Sequence, residues 1–131
     1  MKKDNIEVGG GCRFHWGAIV GGLGIAYGLL ILFAIVLGLV MFKTAVPDAY
    51  LPWIAAALGV LALLFGAIGT GRRTRDRGLL HGAVLGVVYV VIALLLTFFL
   101  TGLVPALADS LIRLAIGLGV GAIGGMLGVN L

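Results

Sequence analysis

Gly71-Arg72-Arg73-Thr74-Arg75-Asp76-Arg77-Gly78 is the break on which this chain turns, because long apolar runs flank it on both sides. Upstream lie residues 14–42 and 51–70; downstream lie 79–104 and 110–130. A bilayer core about 30 Å thick takes roughly 20 apolar residues of helix to cross, so each run is of spanning length. The reading is an all-α, polytopic membrane protein with four transmembrane helices in a single domain over residues 1–131, and with a basic loop over 71–78.

Composition agrees without any windowing. The chain is 62% hydrophobic and 11% charged, with a mean hydropathy of +1.25. Soluble domains carry charge on about a quarter of their residues, so a soluble fold is excluded. The first apolar run is far longer than the hydrophobic stretch of a signal peptide, and no small-residue cleavage site follows it. The first helix is therefore expected to stay in the mature protein. The first and third runs exceed a perpendicular crossing and predict tilt or projection beyond the hydrocarbon. The fourth is glycine-rich and is expected to cross fully, with a re-entrant segment as the alternative.

Charge sets the orientation. Lys2, Lys3, Arg13, Arg72, Arg73, Arg75 and Arg77 fall on one side of the predicted membrane, against Lys43 and Arg113 on the other. The positive-inside rule then places both termini and the basic loop in the cytoplasm. The net charge of +4 is thereby a topology signal, and Arg72, Arg73, Arg75 and Arg77 are expected to face anionic lipid and not nucleic acid. Trp16 and Trp53 suit interfacial anchors, and Pro47, Pro52 and Pro105 sit in or beside the outer turns.

Small residues recur at helical spacing. Gly17, Gly21, Gly24 and Gly28 follow intervals of 4, 3 and 4; Ala55, Gly59, Ala62, Gly66 and Gly69 continue the pattern in the second run. Gly78, Gly82 and Gly86 are spaced by four, and Gly117, Gly121, Gly124 and Gly128 again by 4, 3 and 4. In lipid, a face without side chains lets backbones approach, so these stripes predict helix packing, with a channel lining or a moving interface as the alternative. Gly17-Ala18-Ile19-Val20-Gly21 also matches Gly82-Ala83-Val84-Leu85-Gly86, each preceded by a histidine, His15 or His81, and followed by a tyrosine, Tyr27 or Tyr89. That pattern predicts two parallel helical-hairpin repeats about an axis along the membrane normal, or else chance likeness between glycine-rich helices.

The stretch Gly66-Ala67-Ile68-Gly69-Thr70-Gly71-Arg72-Arg73, followed by Gly78-Leu79-Leu80-His81-Gly82-Ala83-Val84-Leu85-Gly86 and Tyr89, resembles the central motif of the YrzE-like small four-helix membrane proteins of Firmicutes. The resemblance implies a multi-pass protein of the bacterial cytoplasmic membrane. That family is functionally uncharacterised, so the likeness implies no activity and brings no functional residues.

Chemistry has few candidates. Asp4, Glu7, Asp48, Asp76 and Asp109 all lie outside or at the edge of the apolar runs. Ion-coupled carriers need an ionisable or strongly polar group within the membrane, and this pattern supplies none. Cys12 and His15 have a C-x-x-H spacing that with His81 would give three metal ligands, but a closed zinc site takes four, and no metal or other cofactor is expected. A single cysteine forms no intrachain disulfide. Asp109 and Arg113 are four apart and are expected to pair at the start of the fourth helix. Tyr27 and Tyr89 are candidates for interhelical hydrogen bonds or for aromatic filling of a glycine-lined gap. Gly9-Gly10-Gly11 lacks the lysine and hydroxyl of a phosphate loop, and no nucleophile and base pair suggests an enzyme. The expectation is a non-catalytic accessory or scaffold subunit packing through glycine-rich faces against itself or another membrane protein; the alternative is a homo-oligomeric channel or small-solute facilitator.

Overall fold

The computed structural model describes residues 16–45, 47–74 and 77–131, and it is built from four long helices. These are α1 (Trp16–Lys43), α2 (Leu51–Thr74), α3 (Gly78–Thr101) and α4 (Leu107–Asn130), with a 3₁₀ turn at Asp48–Tyr50 before α2. All four are long and apolar enough to cross a membrane. At 1.5 Å per residue, the 24 residues of α2, α3 and α4 give about 36 Å each and the 28 of α1 about 42 Å, more than the hydrocarbon demands.

The helix ends follow from local chemistry. Pro52 occupies the second position of α2, where its missing N–H removes no intrahelical bond. Gly102 ends α3 with φ 66°, and its N–H donates to the Phe98 carbonyl at 2.8 Å. That left-handed cap stops the third helix at Thr101 and corrects the expected end at residue 104. The fourth helix starts at Leu107, three residues earlier than expected, and runs unbroken to Asn130. The basic segment is also less of a loop than its polarity implies. Gly71, Arg72, Arg73 and Thr74 form the last turn of α2, and Gly78 opens α3. Cationic side chains at a helix C-terminus meet the negative end of its dipole, which favours continuing the helix through Arg72 and Arg73.

Packing is uneven around the bundle and along it. α3 and α4 form the most intimate pair, α2 lies against both of them and against α1, and α1 touches α3 lightly and α4 not at all. The matched halves thus make different contacts. Every buried residue of α1 lies between Ala18 and Ala26, and those of α2 between Ala62 and Gly71. In α3 they run from Gly78 to Val90 and in α4 from Gly117 to Gly128. The close-packed half is therefore the one next to the basic turn. Among the described residues, none of 27–43, 51–61, 91–101 or 107–116 is buried, so the far halves of the helices stand open to their surroundings.

The core is small and tightly shaped, with Leu63 and Leu85 as its largest fully buried apolar side chains. Ile19, Ala26, Ala67, Tyr89 and Val90 complete it. Glycine and alanine predominate elsewhere because the helix backbones themselves come into contact.

Candidate functional site

The α3–α4 contact is a backbone seam. Gly78, Gly82 and Gly86 on α3 meet Gly125, Gly121 and Gly117 on the antiparallel α4. A Cβ on Gly82 would collide with the Gly121 carbonyl oxygen and lie 2.8 Å from Gly125 Cα; one on Gly121 would collide with the Gly82 carbonyl oxygen. α4 carries a second small face. Gly124 fits against Ala67, where a Cβ would come within 2.7 Å of the alanine methyl, and Gly128 meets Ile68 and Gly71 of α2. The single stripe expected over Gly117, Gly121, Gly124 and Gly128 is thus split between two neighbours, and Gly125 belongs to the seam although the 4, 3, 4 pattern passes over it.

On α1 the structure corrects the expected face. Among the described residues, Gly17, Gly24 and Gly28 have nothing within 4 Å of where a Cβ would stand, and all three are exposed. The contact with α2 is made instead by Ala18, Gly22 and Ala26, also spaced by four. At Gly22 a Cβ would lie 2.7 Å from Leu85 Cδ1 and 2.8 Å from the Gly66 carbonyl oxygen. At Gly66 it would lie 2.7 Å from both Ala26 Cβ and the Gly22 carbonyl oxygen. α1 is apolar all round, so periodicity of small residues alone does not say which of its two small faces turns inward. Gly59 keeps looser company, with the Tyr89 hydroxyl 3.6 Å and Leu30 Cδ1 3.9 Å from its Cβ position.

Two polar nodes tie the packed half together. Thr70 is fully buried, and its hydroxyl is shared between the Gly66 carbonyl at 3.1 Å and the Ala18 carbonyl of α1 at 3.3 Å. It sits four residues after Gly66 on the same face, the one signal by which its role is readable in sequence. Tyr27 donates its hydroxyl to the Tyr89 carbonyl at 3.0 Å, and Tyr89 donates to the Gly59 carbonyl at 3.4 Å. The two rings lie 5.0 Å apart at 36°. This node joins α1, α2 and α3 where tight packing gives way to the open half.

His81 is buried near the basic turn, with Nδ1 3.0 Å from the Arg77 carbonyl. His15 and Cys12 lie outside the described residues, as do Arg75, Asp4, Glu7 and Asp76. Among the described residues no three His, Cys, Asp or Glu side chains gather as a metal site. Arg72, Arg73 and Arg77 are exposed at the basic turn. Asp109 and Arg113 are both exposed, and the expected ion pair between them is not formed among the described residues. At the far end, an apolar crevice of about 270 Å³ is bounded by Val91, Leu94, Phe98, Val104, Pro105 and Ser110.

These features define a polytopic, four-helix integral membrane protein whose half next to the basic turn is close-packed through glycine contacts. The chain belongs to the family described as "Protein of unknown function (DUF3792)", whose family model matches residues 15–128. No curated protein and no solved structure matches the chain.

Proposed function

We propose that this protein is a non-catalytic accessory or scaffold subunit of a bacterial cytoplasmic membrane, of the YrzE-like kind that its central motif resembles. Both termini and the basic turn face the cytoplasm, in keeping with the seven lysines and arginines expected on that side. The observation that carries the reading is the outward face of α1, where Gly17, Gly24 and Gly28 meet nothing among the described residues. Glycine within a helix costs roughly 1 kcal/mol relative to alanine, and a stripe of it is offset only where another backbone comes close. Within this chain the other glycine stripes do meet backbones, at the α3–α4 seam and at Gly124 and Gly128. The α1 stripe accordingly serves a second helix, from another membrane protein or another copy of this chain.

A channel or small-solute facilitator is the second reading. Its support is the open far half of the bundle, but that half presents mainly Leu, Ile, Val and Phe. A conducting path would need polar groups along it or an oligomer to supply them.

The deciding experiment is native mass spectrometry of the protein released gently from its host's membranes. A stoichiometric complex with a different membrane protein supports the accessory role, and a defined homo-oligomer moves the reading to the facilitator. A bare monomer overturns both.

A further inference from the structure

We infer that the flank between α1 and α2 at the basic turn is a binding site for one anionic phospholipid, with Arg73 holding its phosphate. Three observations meet there. First, the Arg73 guanidinium lies against α1 at Gly21: a Cβ on Gly21 would collide with Nη1 and come within 3.3 Å of Cζ. Gly21 is five residues into α1, about 7.5 Å along its axis from Trp16, so the cation rests below the helix end and against the apolar part of the bundle.

Second, the two described acidic side chains, Asp48 before α2 and Asp109 in the first turn of α4, are both at the opposite end of the bundle. They are a membrane's thickness away from Arg73. A guanidinium at the edge of the hydrocarbon is costly unless an anion faces it, and phosphate matches its planar fork in a bidentate way.

Third, the flank beyond Arg73 suits an acyl chain. Gly69 precedes Arg73 by one turn, and a Cβ there would lie 3.1 Å from Ile25 Cδ1, so the two helices are close and the surface between them is shallow. Ile25 and Phe65 are exposed along it. Arg72, three residues after Gly69 and also exposed, adds a second positive charge at the headgroup level. Cationic groups above an apolar, shallow track are the chemistry of an anionic lipid. The site borders the face proposed above for a partner helix, since Gly21 shares the spacing of Gly17, Gly24 and Gly28 but is covered by Arg73, so the lipid is tested on the released protein by itself.

The test uses the full-length protein in detergent, titrated with phosphatidylglycerol or phosphatidylcholine of identical acyl chains and read by native mass spectrometry. Phosphatidylglycerol is retained in preference, and Arg73→Gln lowers that preference about tenfold, the effect of losing roughly 1.4 kcal/mol of charge-assisted bonding. Arg73→Lys restores only part of it, since an ammonium lacks the fork. Gly21→Ala, which pushes on the guanidinium alone, weakens the preference while leaving the helix content and melting of the bundle unchanged. Equal retention of the two lipids, or a preference unmoved by Arg73→Gln, overturns the site. Displacement of the lipid by inorganic phosphate at matched concentration assigns the cation to a free anion and overturns the lipid as occupant. A preference that appears only in Asp76→Asn overturns it too, because the guanidinium then belongs to that carboxylate.

Discussion

Gly82 and Gly121 face each other across the α3–α4 seam so closely that a Cβ added to either would strike the carbonyl oxygen of the other. Nothing but hydrogen fits between these backbones. The relationship repeats one turn away on each side, Gly78 with Gly125 and Gly86 with Gly117, so the pair is the centre of a seam and not an isolated approach.

Gly82→Leu or Gly121→Leu is therefore expected to abolish assembly of the bundle. Even Gly86→Ala should cost about 1–3 kcal/mol, the usual penalty of overpacking, because its Cβ would press on the Gly117 carbonyl, which belongs to rigid backbone. Unfolding of the purified protein in mixed micelles reads both effects, and normal stability in the two leucine variants would sink the packing account.

Gly24→Leu and Gly28→Leu form the contrasting pair. Both positions are open among the described residues, so the folded bundle should lose no more than a few tenths of a kcal/mol, and leucine's better helix propensity works in its favour. What should disappear is the association made through α1, seen as loss of the larger species by native mass spectrometry. Retention of that species in the double variant would place the contact elsewhere.

Thr70→Val removes a fully buried hydroxyl that links α2 to the Ala18 carbonyl of α1. The expected loss is about 0.6–1.5 kcal/mol, the range for hydrogen bonds inside membrane proteins and in general. Thr97→Val is the control. Its hydroxyl bonds only the Ala93 carbonyl of its own helix, at 2.8 Å, and its removal should leave stability nearly unchanged.

The tyrosine node orders three further variants. Tyr27→Phe loses the 3.0 Å bond to the Tyr89 carbonyl and should cost about 0.5–1 kcal/mol. Tyr89→Phe loses only the longer 3.4 Å contact with the Gly59 carbonyl and should cost less. Tyr89→Ala empties a largely buried ring position and should cost about 3–5 kcal/mol. An inverted order of the two phenylalanine variants would show that the hydroxyls are not what joins α1 to α3.

Four helices, their approximate spans and their membrane setting are legible in residues 14–130, because a bilayer demands a length of apolar helix that composition displays directly. Gly78, Gly82 and Gly86 were equally open to reading, since a spacing of four keeps one face of α3. Boundaries were less so: Arg72 and Arg73 read as loop from their polarity, yet they continue α2, where a helix C-terminus favours positive charge.

Sequence alone determined that every helix would carry a face of small residues, because the 4 and 3 spacings are fixed by the helical repeat. Which face meets which neighbour was settled by the assembled bundle. On α1 the inward position went to Ala18, Gly22 and Ala26, where the Thr70 hydroxyl and the Leu85 side chain fit, and Gly17, Gly24 and Gly28 were left outside. On α4 a single stripe became two, with Gly125 facing α3 and Gly124 facing α2. The physical reason is common to both cases. In helices that are apolar on all sides, burial from water no longer distinguishes one face from another, and only shape complementarity with a particular partner breaks the tie.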